Sequence, residues 1–169
     1  MKLLSPAKLN LSLAITGVRA DGYHEIESLM CCISLYDDIR LDVNNSEKIT
    51  LDCQPDVCPP EQNLAVKAAN RFFDAVAAVP RGVHISLQKQ IPAGAGLGGG
   101  SSNAATVLSG LNNHFGQPLS SDRLAAIGCA LGADIPFFLL GKPAVATGGA
   151  VSANIRLNQA HIQGRVQFF

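Results

Sequence analysis

Neither sign of charge dominates this sequence, no two cysteines stand at CxxC spacing, and no apolar run approaches the length of a membrane span. Each absence removes a class of function. The 13 basic and 13 acidic residues cancel and are spread along the chain. With no basic stripe, a nucleic-acid backbone or an anionic membrane surface is excluded as partner, and any phosphate site must be local. A membrane-spanning helix needs roughly 18 or more apolar residues, and the start Met1-Lys2-Leu3-Leu4-Ser5-Pro6-Ala7-Lys8 turns polar too soon for the apolar core of a signal peptide. A cytoplasmic protein is therefore expected. The five cysteines, Cys31, Cys32, Cys53, Cys58 and Cys129, are odd in number, which points to neither a disulfide framework nor a zinc site but to buried or inert thiols. There is no internal repeat. The 169 residues, 47% of them hydrophobic, are enough for one sizeable core, and a single domain is the working expectation.

What is present reads first as β structure. Leu9, Leu11, Leu13 and Ile15 alternate with Lys8, Asn10, Ser12 and Ala14, the period of a strand with one apolar and one polar face. Lys8, Asn10 and Ser12 therefore point the same way. After the turn-like Arg19-Ala20-Asp21-Gly22, residues 25–35 read as a second strand. Beyond Tyr36-Asp37-Asp38, the alternations at Ile39, Leu41, Val43 and at Ile49, Leu51, Cys53 suggest a meander of short strands. Leu64, Ala68, Phe72 and Val76 recur four apart, predicting an amphipathic helix over about 61–78. Val83, Ile85 and Leu87 form another half-exposed strand. Ala105, Leu108, Leu111 and Phe115 make a helical stripe behind Ser101 and Ser102 as potential caps, and a further helix runs from about Ser121 to Leu131, stopping at Gly132. Residues 137–147 are apolar enough for a last strand. The order predicts an α+β fold with a mixed, mostly antiparallel sheet.

The informative segment is Pro92, Ala93, Gly94, Ala95, Gly96, Leu97, Gly98, Gly99, Gly100, Ser101 and Ser102. Five glycines lie in the short gap between a strand and a helix, where a flexible linker is out of place. Such a backbone can approach a ligand closely, and its N–H groups, backed by a helix N-terminus, suit phosphate oxygens. Gly94-x-Gly96-x-x-Gly99 satisfies a dinucleotide-binding pattern with Asp122 downstream. However, the preceding strand alternates and carries Gln88, Lys89 and Gln90 where a doubly buried strand is required. A Walker loop is excluded, because no lysine lies within the segment and Ser101 directly follows Gly100.

These residues resemble the PxxxGLGGGSSxA-type loop that wraps ATP phosphates in the galactokinase, homoserine kinase, mevalonate kinase and phosphomevalonate kinase (GHMP) superfamily. Pro6-Ala7-Lys8-Leu9-Asn10-Leu11 followed by Arg19-Ala20-Asp21-Gly22-Tyr23-His24, and Leu131-Gly132-Ala133-Asp134-Ile135-Pro136-Phe137, are similar to segments of its branch acting on 4-diphosphocytidyl-2-C-methyl-D-erythritol. Together the matches cover residues 5 to about 148. The resemblance implies the superfamily's N-terminal ATP-binding fold, also found in the second domain of ribosomal protein S5, with helices packed on one face of the sheet. It implies phosphorylation by ATP, with Mg2+, of the 2-hydroxyl of that small-molecule alcohol in non-mevalonate isoprenoid biosynthesis. Asp134 would take the hydroxyl proton, and Lys8 would stabilise developing charge. The glycine-rich segment would hold the phosphates, Asn63, Leu64 and Lys89 would surround the adenine, and Asn10, Tyr23 and His24 would lie at the substrate, Tyr23 stacking on its cytosine. No protein residue is assigned to the metal, although Ser101 or Ser102 could approach it.

Without the resemblance, Lys8 reads as a solvated surface lysine, Asp134 as a turn or capping residue, and the Tyr23-His24 pair as sheet-edge packing. The other reading of the kinase is a relative acting on a different alcohol, such as homoserine or mevalonate, and Tyr23-His24 favours a cytidyl substrate. The domain expectation is an N-terminal GHMP domain over 1–148 and a divergent tail over 149–169, with the family's C-terminal domain absent. A chain lacking it would expose apolar surface and admit water to the reacting phosphoryl group, so weak turnover, or nucleotide binding without catalysis, is the expected consequence. Oligomeric state is not legible.

Overall fold

The computed structural model describes residues 1–18, 24–76, 79–148 and 154–156. Its frame is a long antiparallel ribbon of β1 (Lys2–Val18) and β2 (His24–Asn44). Then follow β3 (Ile49–Gln54), α1 (Leu64–Ala75), β4 (Gly82–Gln88), α2 (Gly99–His114), α3 (Ser121–Leu131), α4 (Ile135–Leu140), β5 (Ala144–Gly148) and β6 (Asn154–Arg156). Among the described residues the strands form one six-stranded sheet, ordered β3-β4-β2-β5-β6 with β1 along the other edge of β2. All pairings are antiparallel except that of β3 with β4, which is parallel. The α+β expectation with a mixed sheet holds. Among the described residues, no helix is long and apolar enough to cross a membrane.

The meander of short strands does not hold. β2 runs unbroken through Tyr36-Asp37-Asp38, which composition marks as a turn. Opposite this point the register slips between Pro6 and Ala7, as expected where proline cannot donate to the ladder. Asp37 stays within the strand because its carboxylate is buried and bonded by distant residues.

The core lies on one face. Ile39 and Leu41 of β2, Val83, Ile85 and Leu87 of β4 and Cys53 of β3 meet Ala65, Ala68, Ala69, Phe72 and Phe73 of α1 and Ala104, Ala105, Val107, Leu108 and Leu111 of α2. The predicted helical stripes are the buried ones, although α1 is shorter than 61–78 at both ends. At Gly110 the helix lies so close to the ribbon that a Cβ would stand 2.6 Å from Leu3 and 3.0 Å from Leu41.

The last predicted strand, 137–147, is instead α4 followed by β5. A short apolar run such as Ile135-Pro136-Phe137-Phe138-Leu139-Leu140 fits either a strand or a buried helix. Here Pro136 sits in the first turn, where its fixed φ is pre-set for a helix, and Gly141 ends it with a left-handed φ of 65°. Phe137 then joins Met30 and Ala144 in a small second cluster. The expected inert thiols are only partly found, since Cys53 is buried but Cys32 and Cys129 are exposed. Burial pushes the Cys53 thiol pKa up. Of the tail, residues 154–156 pair with β5; 149–153 and 157–169 lie outside the described residues.

Candidate active site

The glycine-rich segment leaves β4, crosses the end of the sheet and enters α2. Gly94, Gly96 and Gly98 have φ of 74°, 74° and 71°, a left-handed conformation that other residues reach only with strain. Gly98 is the N-cap of α2, and space is closed there too, because a Cβ would lie 2.9 Å from the Phe138 ring and 3.1 Å from Cγ of Lys8. Ser101 and Ser102, expected as caps, instead fall inside the first turn. The orphan N–H groups of that turn, with the helix dipole behind them, face the loop.

A cavity of about 540 Å³ opens over this helix end. Lys8, Asn63, Leu64, Lys89, Asp134 and every residue from Pro92 through Ser101 line it. Another hollow, of about 450 Å³ near Lys2, Asp38, Asp52 and Gln88, has neither the loop nor a helix N-terminus.

Lys8 and Asp134, 126 positions apart in sequence, come together at the mouth of the cavity. Lys8 is 7% exposed rather than solvated. Its Nζ lies 3.5 Å from Oδ2 of Asp134 and donates to Oδ1 of Asn10 at 2.5 Å. Asn10 passes the constraint on, its Nδ2 donating to Ser28 Oγ at 2.7 Å, while Ser28 donates to the Ser12 carbonyl at 2.7 Å. Asp134 stands at the N-cap of α4 but makes no side-chain capping bond. Its side chain, 38% exposed, faces lysine and solvent.

Other expected residues divide. Asn63 caps α1, its Oδ1 accepting from Ala65 N–H at 3.0 Å, so its amide nitrogen is what remains for a base edge. Lys89 lines the cavity, but its ammonium donates to Asp37 and, at 3.0 Å, to Oδ1 of Asn103. Ser102 does not line the cavity: it is fully buried, and its hydroxyl accepts from Ser5 Oγ at 2.8 Å. Asn10 touches Lys8 rather than the cavity. Tyr23 lies outside the described residues, and His24 opens β2 with only its backbone described.

Sequence reading missed Asp37, Asn103 and Ser5. Asp37 is 0% exposed and accepts from Gln90 N–H, Ile91 N–H, Asn103 Nδ2 and Lys89 Nζ. Burial alone would raise its pKa, but the N–H groups of Ile91, Lys89, Gln90 and Asn103 outweigh it and hold the carboxyl below its ordinary value. Its only sequence signal, an acid in a turn-like triplet, pointed elsewhere.

The model of the GHMP kinases N terminal domain matches residues 63–142, which contain the loop, α1, α2 and Asp134. The chain thus carries a GHMP kinase N-terminal domain over residues 63–142. It is 51% identical over 144 residues to the 4-diphosphocytidyl-2-C-methyl-D-erythritol kinase of Neisseria meningitidis serogroup A, an alignment covering 85% of this chain and 51% of that protein. It is 48% identical over 146 residues to the enzyme of the same name from Syntrophotalea carbinolica, covering 86% and 52%. A crystal structure of 4-(cytidine 5'-diphospho)-2C-methyl-D-erythritol kinase superposes with a TM-score of 0.81 at 39% identity, over 92% of this chain and 55% of that one. Streptococcus pneumoniae phosphomevalonate kinase, solved with phosphomevalonate and AMPPNP, shares the fold alone, with a TM-score of 0.62 at 15% identity over 88% and 50%. The chain thus spans about half the length of the curated relatives it matches.

Proposed function

We propose that this chain provides the nucleotide-binding and proton-accepting half of a kinase that transfers the γ-phosphoryl group of ATP to the 2-hydroxyl of 4-diphosphocytidyl-2-C-methyl-D-erythritol. The observation that carries the proposal is the buried ammonium of Lys8 held 3.5 Å from the Asp134 carboxylate, at the mouth of a glycine-lined cavity over a helix N-terminus. Phosphoryl transfer asks the protein for positioning and charge stabilisation more than for covalent chemistry. The loop N–H groups and the α2 dipole would hold the phosphates. The Asp134 carboxylate would accept the proton as the hydroxyl oxygen bonds to phosphorus and the bond to ADP breaks. Lys8 Nζ would meet the negative charge that grows on the transferring oxygens. The identity of the alcohol rests on the relatives' specificity and on Tyr23-His24.

Among the described residues no group of three or more His, Cys, Asp or Glu side chains could hold a metal ion. A magnesium ion would arrive on the phosphates, neutralising their charge, with the Ser101 hydroxyl at the cavity wall as a protein oxygen within the site. The test is substrate-dependent ADP formation by this chain, with Asp134→Ala as control and ATP binding measured in parallel. Turnover lost in the control supports the assignment of Asp134. ATP binding without turnover restricts this half to nucleotide binding, and absence of both overturns the proposal.

A further inference from the structure

The glycine loop has little to hold its middle. A Cβ built at Gly94 or Gly96 meets nothing within 4 Å, and the bond from Lys8 N–H to the Leu97 carbonyl at 2.9 Å ties down only its far side. A loop of that kind loses much conformational freedom when it closes on a ligand, unless its ends are fixed beforehand. Both ends converge on one carboxylate. Oδ1 of Asp37 accepts from the N–H groups of Gln90 and Ile91, at 2.7 and 2.8 Å, immediately before Pro92. Oδ2 accepts from Nδ2 of Asn103, in the opening turns of α2, at 2.9 Å, and from the Lys89 ammonium. Lys89 closes the ring by donating to Asn103, and Asn103 also donates to Ser5 Oγ at 2.9 Å. No buried side-chain polar atom among the described residues is left without a partner.

We infer that Asp37 is the positioning residue of the phosphate loop, clamping its entry and its exit so that the backbone N–H groups are set for phosphates before nucleotide arrives. The inference rests on the proposed nucleotide-binding function and adds a residue that never touches the nucleotide. Only a carboxylate satisfies the arrangement, because all four partners are donors. In Asp37→Asn the amide nitrogen would oppose one of these pairs of donors.

The test is an amide NMR titration of the chain and of Asp37→Asn with ATP and with adenosine, which lacks every group the loop would hold. Loss of charge-assisted bonds of this kind is expected to weaken ATP binding about 10- to 100-fold while leaving adenosine binding unchanged. Equal losses for both ligands would reduce Asp37 to a general structural role and overturn the inference. Absence of a saturable ATP response in the unsubstituted chain would instead sink the nucleotide-binding function itself. Amide exchange in the unsubstituted chain needs no variant that folds. Gln90 and Ile91 are expected to exchange as slowly as the centre of α2 without nucleotide. Slow exchange appearing only after ATP is added would mean that the ligand orders the loop, and Asp37 would not be its positioning residue.

Discussion

The two halves of β1 invert the usual relation between polarity and burial. From Ser5 to Lys8 the strand is mostly buried, yet its buried side chains include a serine and a lysine. From Leu9 onward, Leu11, Leu13 and Ile15 are exposed, the last two by 64% and 66%. One strand therefore carries a buried polar half built into the site and an exposed apolar half whose Leu11, Leu13 and Ile15 belong to neither core cluster. Alternation tells which side chains share a face, but not which face is covered, because covering depends on what the rest of the molecule lays over it.

Substitution of Lys8 has the greatest consequence for the buried half. Lys8→Met keeps the stem and removes the charge, and phosphoryl transfer is expected to fall about 100- to 10,000-fold with the unfolding midpoint almost unchanged; an active variant would make the lysine a packing residue. Ser5→Val tests the buried half by stability. It strips Asn103 of one acceptor and Ser102 of its donor, and urea unfolding should show a loss of about 1–3 kcal/mol.

Acid provides a milder probe. The folded-state carboxyl of Asp37 is held low, so its stabilising effect is complete above the unfolded value, about 3.9, and is lost as pH falls through the folded one. The stability difference between the chain and Asp37→Asn should be constant at neutral pH and shrink below about pH 4. A difference independent of pH down to acid unfolding would contradict this. The smallest effect belongs to the exposed half: Leu13→Ser or Ile15→Ser should change the stability of this chain by less than about 0.5 kcal/mol. A larger loss would show that these side chains are covered in solution.

Much of this molecule was legible where neighbours in sequence determine the outcome. The stripe Ala68-Phe72-Val76 and the stop at Gly132 depend on spacing within one element, and the glycine segment announced its turn from strand to helix by composition alone. What was not legible depends on residues far apart. Asp37 looks like a turn residue until donors 52 to 66 positions away are known, and only they allow β2 to continue through it. Ser102 looks like a cap until Gly98 takes that place. Lys8 and Asp134 could be paired only through the family resemblance, since nothing local to either indicates the other. The helix α4 was missed because six apolar residues have no diagnostic period, and Pro136 and Gly141 settle the outcome only once both are weighed as end signals.

Lys8 is tied to the loop by its backbone and to the acid by its side chain. Its backbone N–H holds the Leu97 carbonyl, while its side chain reaches Asp134 at the start of α4. Strand, loop and acid are thus joined through a single residue. A displacement at Leu97 pulls on the backbone that carries the ammonium, so the place of one buried charge is coupled to the shape of the loop's far side.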